Sequence, residues 1–174
     1  TSVPAYTDLS VVGGTPYWYV VSAVNTVSSE GLDSTQATAT PLGGYDVWAS
    51  SPAQGLTAGI NDGPLMDPDF DGINNLLEFA LNGQPTVASP AILPTLTKPA
   101  GSWVFTYDRS VASRPPGTSQ IVEYDDDLAG WTQVVIPLGS APNVTITPQG
   151  ATDRVEVTLP PLGTKGFVRL KVNQ

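Results

Sequence analysis

Asp67, Asp69 and Asp71 alternate through Asp67-Pro68-Asp69-Phe70-Asp71-Gly72-Ile73-Asn74-Asn75-Leu76-Leu77-Glu78, and Glu78 closes the run at its twelfth residue. Four carboxylates crowded into so short a stretch repel one another unless a cation stands among them. A hard cation such as Ca²⁺ takes about six to eight oxygens, and a loop of this length supplies them from its first, third, fifth, seventh, ninth and twelfth residues. Here those are Asp67, Asp69, Asp71, the main-chain carbonyl of Ile73, Asn75 (directly or through water) and Glu78. Gly72 holds the sixth place, where the chain must turn sharply and a side chain would obstruct it. The full spacing is a specific motif. The plainer alternative is an acidic turn before a helix, with Asp71 as the N-cap.

The loop departs from the paired EF-hand pattern in one respect: its eighth residue is Asn74, with the aliphatic Ile73 preceding it, and no second loop of this kind occurs in the chain. The segment resembles instead the single calcium loops of thrombospondin type 3 and dockerin-like repeats. It is similar in particular to the DxDxDGxxNLLEFAL segments of large secreted bacterial proteins. That resemblance implies a structural ion and an extracellular or cell-surface setting.

Other chemistry is largely excluded by what is missing. With no His and no Cys, the chain cannot build Ser-His-Asp, Cys-His or His-ligated zinc sites, or a disulfide framework. No phosphate-cradling glycine loop occurs. Asp125-Asp126-Asp127 is a second acidic run, but adjacent carboxylates on a turn diverge, whereas catalytic pairs face each other across a substrate. A solvated acidic turn is expected there, with a second weak cation site as the minor alternative. The chain is expected not to be an enzyme. Residues 1–97 hold nine acids and no Lys or Arg, so the whole formal charge of −9 lies in that half. Such a surface repels nucleic acid and anionic membranes. No run of apolar residues is long enough to span a bilayer, so membrane insertion is not expected. The chain opens at Thr1 without Met or signal peptide, which suggests a processed or excised piece.

The elements around the loop read mainly as β. With Gly 17 and Pro 17 in 174 residues, short strands and many turns are favoured over long helices. Residues 1–41 suggest strands over Tyr17–Asn25 and Asp33–Thr40, after a Gly13-Gly14-Thr15-Pro16 turn. Residues 42–85 suggest a helix–calcium loop–helix: a short helix at Tyr45–Ala49, then Ile73, Leu76, Leu77, Ala80 and Leu81 at helical spacing, stopped by Asn82-Gly83. Tyr45 and Trp48 are expected to cover the apolar side of that second helix. Residues 86–101 read as a Pro-rich linker holding at most an edge strand. Residues 102–174 suggest an antiparallel β-sandwich with strands over Ser102–Asp108, Ser119–Tyr124, Trp131–Ile136, Val144–Thr147, Arg154–Leu159 and Gly166–Val172.

Residues Tyr6-Thr7-Asp8, Val11 to Tyr17, Val21 to Asn25, Glu30-Gly31 and Ser34 resemble the last third of a fibronectin type III domain. Tyr17 stands where that family has its tyrosine corner. A whole domain of that type has seven strands over about 100 residues, and the first four have no counterpart here. The block Val122 to Trp131, with Phe167 to Val172, resembles β-rich modules at the C-termini of the same secreted proteins. Together these resemblances imply the C-terminal region of a modular secreted bacterial protein. Three functions are then open. The first is a non-catalytic, calcium-stabilised spacer or surface-display region, partnered by upstream domains of its parent chain. The second is a carbohydrate-binding accessory module using Trp103, Trp131 and Tyr124 on polysaccharide. The third is a filament or lattice subunit whose open sheet is completed by strands of neighbouring subunits.

Overall fold

The computed structural model describes residues 5–8, 11–162 and 165–174. It is mainly β, and the chain divides into two compact units, Thr1–Gly43 and Gly44–Gln174.

The first unit is a hairpin. β1 (Tyr17–Tyr19) pairs antiparallel with β2 (Ala37–Ala39). Upstream of β1, Gly14 takes a positive φ of 77° and donates to the Pro41 carbonyl at 2.7 Å. The Val12 N–H donates to Tyr17 Oη at 2.9 Å, a bond back to the chain five residues upstream. Regular pairing is shorter than the expected Tyr17–Asn25 and Asp33–Thr40. Beyond Tyr19 the Val21 N–H goes to Ser34 Oγ at 3.0 Å, while Ser34 N–H returns to the Val21 carbonyl. A side chain has taken a bond that the ladder would have used. At the tip, Asn25 Oδ1 accepts from the N–H groups of Val27 and Ser29. None of the described residues in this unit is buried; Trp18, Val21 and Val24 are 58%, 72% and 64% exposed.

The second unit carries both helices, α1 (Gly44–Ala49) and α2 (Asn75–Leu81), and two antiparallel sheets. β3 (Thr95–Thr97), β4 (Trp103–Ser110), β7 (Val144–Pro148) and β8 (Thr152–Leu159) form one sheet in the order β3-β4-β8-β7. β5 (Ser119–Asp125), β6 (Thr132–Val135) and β9 (Phe167–Asn173) form the other, with β5 central. The six strands expected after residue 101 are all present, with ends shifted by up to two residues. Alternation placed them: Val155, Val157 and Leu159 of β8 and Phe105 and Tyr107 of β4 are buried, and they share a core with Val122 of β5 and Ile136 beside β6. The two sheets therefore face each other as a β-sandwich does.

Residues 44–174, which span most of the expected helix–loop–helix, the Pro-rich stretch and the sandwich, lie in one compact unit. Helix α2 is the reason. Leu77 and Leu81 pack into the sandwich core, while Leu76 and Phe79 pack with Tyr45, Ala49 and Trp48. Tyr45 and Trp48 meet the Phe79 ring at centroid distances of 5.8 and 5.5 Å. The Pro-rich stretch 86–101 carries one edge strand. Ile92 packs against the sandwich core, and β3 pairs with β4 from Thr95↔Thr106 to Thr97↔Val104.

At one end of the core the inward row turns polar. Arg109 of β4 and Asp153 of β8 are cross-strand partners, 0% and 1% exposed as side chains. Arg109 donates to Asp153 Oδ2 from Nη2 at 2.8 Å and from Nε at 3.3 Å, while Nη1 and Nη2 also reach the carbonyls of Pro137 and Leu138. Arg114 completes the arrangement with bonds to both carboxylate oxygens of Asp153, at 2.8 and 2.6 Å.

Candidate metal centre

The acidic loop lies between the two helices and is shaped by its own main chain. Asp71 N–H donates to Asp69 Oδ1 at 3.2 Å, Gly72 N–H to Asp67 Oδ2 at 2.9 Å, and Ile73 N–H to Asp71 Oδ1 at 2.8 Å. Gly72 sits at φ 90°, a conformation that L side chains rarely adopt. Phe70 also takes a positive φ of 60°, its ring 90% exposed. The turn draws one carboxylate oxygen from each of Asp67, Asp69 and Asp71 to within 4.8 Å of one another.

Helix α2 carries the fourth carboxylate, Glu78, which is not in the 4.8 Å cluster of the three aspartates but feels their charge. Its N-cap is Asn74, whose Oδ1 accepts from Leu77 N–H at 3.0 Å. Asp71 therefore does not cap the helix, which corrects that detail of the plainer alternative. The cap releases Asp71 and sets Glu78 in the first turn, completely buried.

The hydrogen bonds leave a particular set of atoms over. Asp67 Oδ1, Asp69 Oδ2 and Glu78 Oε2 are buried with no hydrogen-bond partner, as is Asn75 Oδ1. A buried acceptor left without a donor costs roughly 1–3 kcal/mol, more when charged. Four orphan oxygens on four of the expected ligand residues fit a cation donor set. All are hard oxygens, the type that Ca²⁺ takes. The electrostatics agree in sign. Burial, followed by the charge of Asp69, pushes the Glu78 carboxyl up to about 7, against a weaker lowering by the Ser89 hydroxyl. Burial is also the main reason the Asp69 carboxyl is raised.

Of the six expected ligand residues, the acids Asp67, Asp69 and Asp71 are brought together, and Glu78 feels the charge of all three. Ile73 precedes the helix and buries its side chain, 1% exposed. Asn75 has a second task. Its Nδ2 donates to the carbonyls of Asn61 and Gly63 at 2.8 and 2.9 Å, anchoring the preceding loop. Two carbonyl partners fix which end of the amide points there, leaving Oδ1 as the free end. Sequence reasoning missed Ser89. Its N–H donates to Asp71 Oδ2 at 2.7 Å and its Oγ to Glu78 Oε1 at 3.3 Å. A serine eleven residues past Glu78 carries no local signal of that role.

The second acidic run is built differently. Asp125, at the end of β5, receives N–H bonds from Asp126 and Gly130, and Asp127 receives one from Ala129. Asp126 and Asp127 are exposed, and no oxygen of the three is buried without a partner.

The three aromatics considered for sugar stacking do not share one surface. Trp103 and Tyr124 pack against the sandwich core. Trp131 lies beside the outer face of the three-stranded sheet, with the Arg169 guanidinium 4.0 Å from its ring centroid. Among the described residues, no helix is long and apolar enough to cross a membrane. No protein-family model, curated protein or solved structure matches the chain.

Proposed function

We propose that this chain is a non-catalytic structural region of an extracellular modular protein, stiffened by one calcium ion in the Asp67–Glu78 loop. The supporting observation is the set of buried, partnerless oxygens on Asp67, Asp69, Asn75 and Glu78. Asp67, Asp69, Asp71 and Glu78 would hold the ion, aided by the Ile73 carbonyl and Asn75 Oδ1. The ion would supply positive charge against four carboxylates that otherwise repel. The chain's own residues do the mechanical work. Glu78 and Leu77 belong to one short helix, so a force that fixes the Glu78 carboxylate also fixes the helix against the sandwich core. The role is that of a stiffener between β-rich parts of a longer molecule.

The test is calorimetric titration of calcium into chelator-stripped protein, alongside thermal unfolding. One site per chain, abolished in Glu78→Ala and untouched in Asp126→Asn, is expected. A stripped wild type that takes up no calcium would sink the reading.

A second reading, assembly, draws on the first unit, in which no described residue is buried. Two or three strands alone are marginal in water. Strands from an upstream domain or a neighbouring subunit would give this hairpin its missing core. Light scattering at high protein concentration separates the two: a monomer favours the upstream domain, and concentration-dependent growth favours the neighbour.

A further inference from the structure

We infer that Ser89 is a positioning residue for the cation loop and ties the loop's occupancy to the order of edge strand β3. The inference rests on the calcium reading of Asp67–Glu78. Ser89 lies outside the loop, yet it hydrogen-bonds both Asp71 and Glu78: through its N–H at 2.7 Å and its hydroxyl at 3.3 Å. The bond to Glu78 uses Oε1, so Oε2 is the oxygen left turned free. One residue thus orients the last aspartate of the loop and the glutamate that closes it.

The chain between the loop and β3 is packed down at Gly83 and again at Ile92. A Cβ on Gly83 would fall 2.6 Å from Ile92 Cδ1 and 3.1 Å from Glu78 Cβ, so this stretch is folded directly against the Glu78 side chain. Ser89 then opens a single 3-10 turn, Pro90–Ile92, whose Ile92 N–H returns to the Ser89 carbonyl at 3.1 Å. Ile92 packs against the sandwich core, and β3 follows at Thr95. A shift of Ser89 therefore reaches β3 through this turn and the packed Ile92. β3 is well placed to respond. It is three residues long, all exposed, and sits at the sheet edge with β4 as its one strand partner.

With a cation in the loop, Asp71 and Glu78 are drawn together and Ser89 has both acceptors. Without one, like charges push the two carboxylates apart, and Ser89 cannot follow both. The turn at Pro90–Ile92 and β3 then loosen, while the β4–β8 pairing behind them stays.

The experiment is hydrogen exchange by mass spectrometry on the full chain, in calcium and in excess chelator, combined with calcium titration of Ser89→Ala and Ser89→Thr. Three results are expected. Chelation speeds exchange across residues 89–97 and leaves 152–159 unchanged. Ser89→Ala, still folded by thermal melt, binds calcium roughly tenfold more weakly, the effect of one hydrogen bond to a charged group. Ser89→Thr, which keeps the hydroxyl, restores most of that affinity. If the wild type binds calcium but chelation changes exchange only within 67–78, or Ser89→Ala binds as tightly as wild type, the inference is overturned and the calcium reading stands. If the wild type binds no calcium, both fall.

Discussion

Glu78 and Asp153 are both sealed from solvent, one beside three aspartates and the other between two arginines. Their surroundings drive them in opposite directions. Hydrogen bonds from Arg114, chiefly, hold the Asp153 carboxyl down at about 2, although burial alone would raise it. Glu78 has no cation beside it, and burial pushes it up to about 7. The run Asp125–Asp127, half-buried at Asp125 and exposed at Asp126 and Asp127, makes a third case, in which main-chain N–H groups and open solvent face the charge. Acidity, then, marks none of these places. What separates them is whether each buried oxygen already has a positive or donating partner within the chain. Asp153 is complete as it stands, and the Asp67–Glu78 loop is not.

The strongest way to break the comparison is to spoil the complete site. Asp153→Ala leaves Arg109 buried without its counter-charge and is expected to cost about 3–5 kcal/mol, read by denaturant unfolding at neutral pH. The pH dependence carries a definite sign. A carboxyl whose folded value lies below its ordinary 3.8 stabilises fully above that value and loses its effect as pH falls through about 2. The gap between wild type and variant should therefore narrow as pH falls from about 4 through about 2. A gap constant over that range would refute the assignment.

Next in size is completing the incomplete site. Calcium at a hundredfold excess over Kd should stabilise the stripped protein by about 2.7 kcal/mol, visible as a rise in Tm. Magnesium should do less, because it prefers water-rich octahedral shells.

Smaller in magnitude is a reversal of sign. Asp69→Asn should weaken calcium binding, yet raise the Tm of the chelated protein by removing one of the mutually repelling charges, a gain of about 1 kcal/mol. The same sign in both conditions would show that repulsion is not what the cation relieves. Smallest of all, Asp126→Asn and Asp127→Asn should leave calcium stoichiometry unchanged and alter stability by no more than about 0.5 kcal/mol.

Much of this molecule could be read from its residues. The strands of the second unit follow from period-two alternation, and the crowding of Asp67, Asp69 and Asp71 follows from their spacing around Gly72. The parts that escaped have physical reasons. Arg109 and Asp153 occupy inward positions of their strands, and alternation by itself assigns charged residues outward; only their cross-strand register makes the burial tolerable. Spacing offers Asn75 as a loop ligand, directly or through water, and carries no sign that its amide also secures Asn61 and Gly63. Ser89 acts through contacts across eleven and eighteen residues, where no periodicity operates. The unity of residues 44–174 was hidden because helix α2 is apolar on two sides, and helical spacing reports an apolar face without saying how many neighbours share it.

That shared helix bears on how such a region could be inherited. Seven residues make too short a helix to persist alone, and α2 divides its apolar side chains between the Tyr45–Trp48 cluster and the sandwich. A recombination event that moved the acidic loop without the strands after it, or the strands without the loop, would leave each fragment with an exposed apolar wound. The segment from Gly44 onward is expected to travel between genes as one exchangeable block. Its natural seam is the Gly43-Gly44 step, where the two compact units divide.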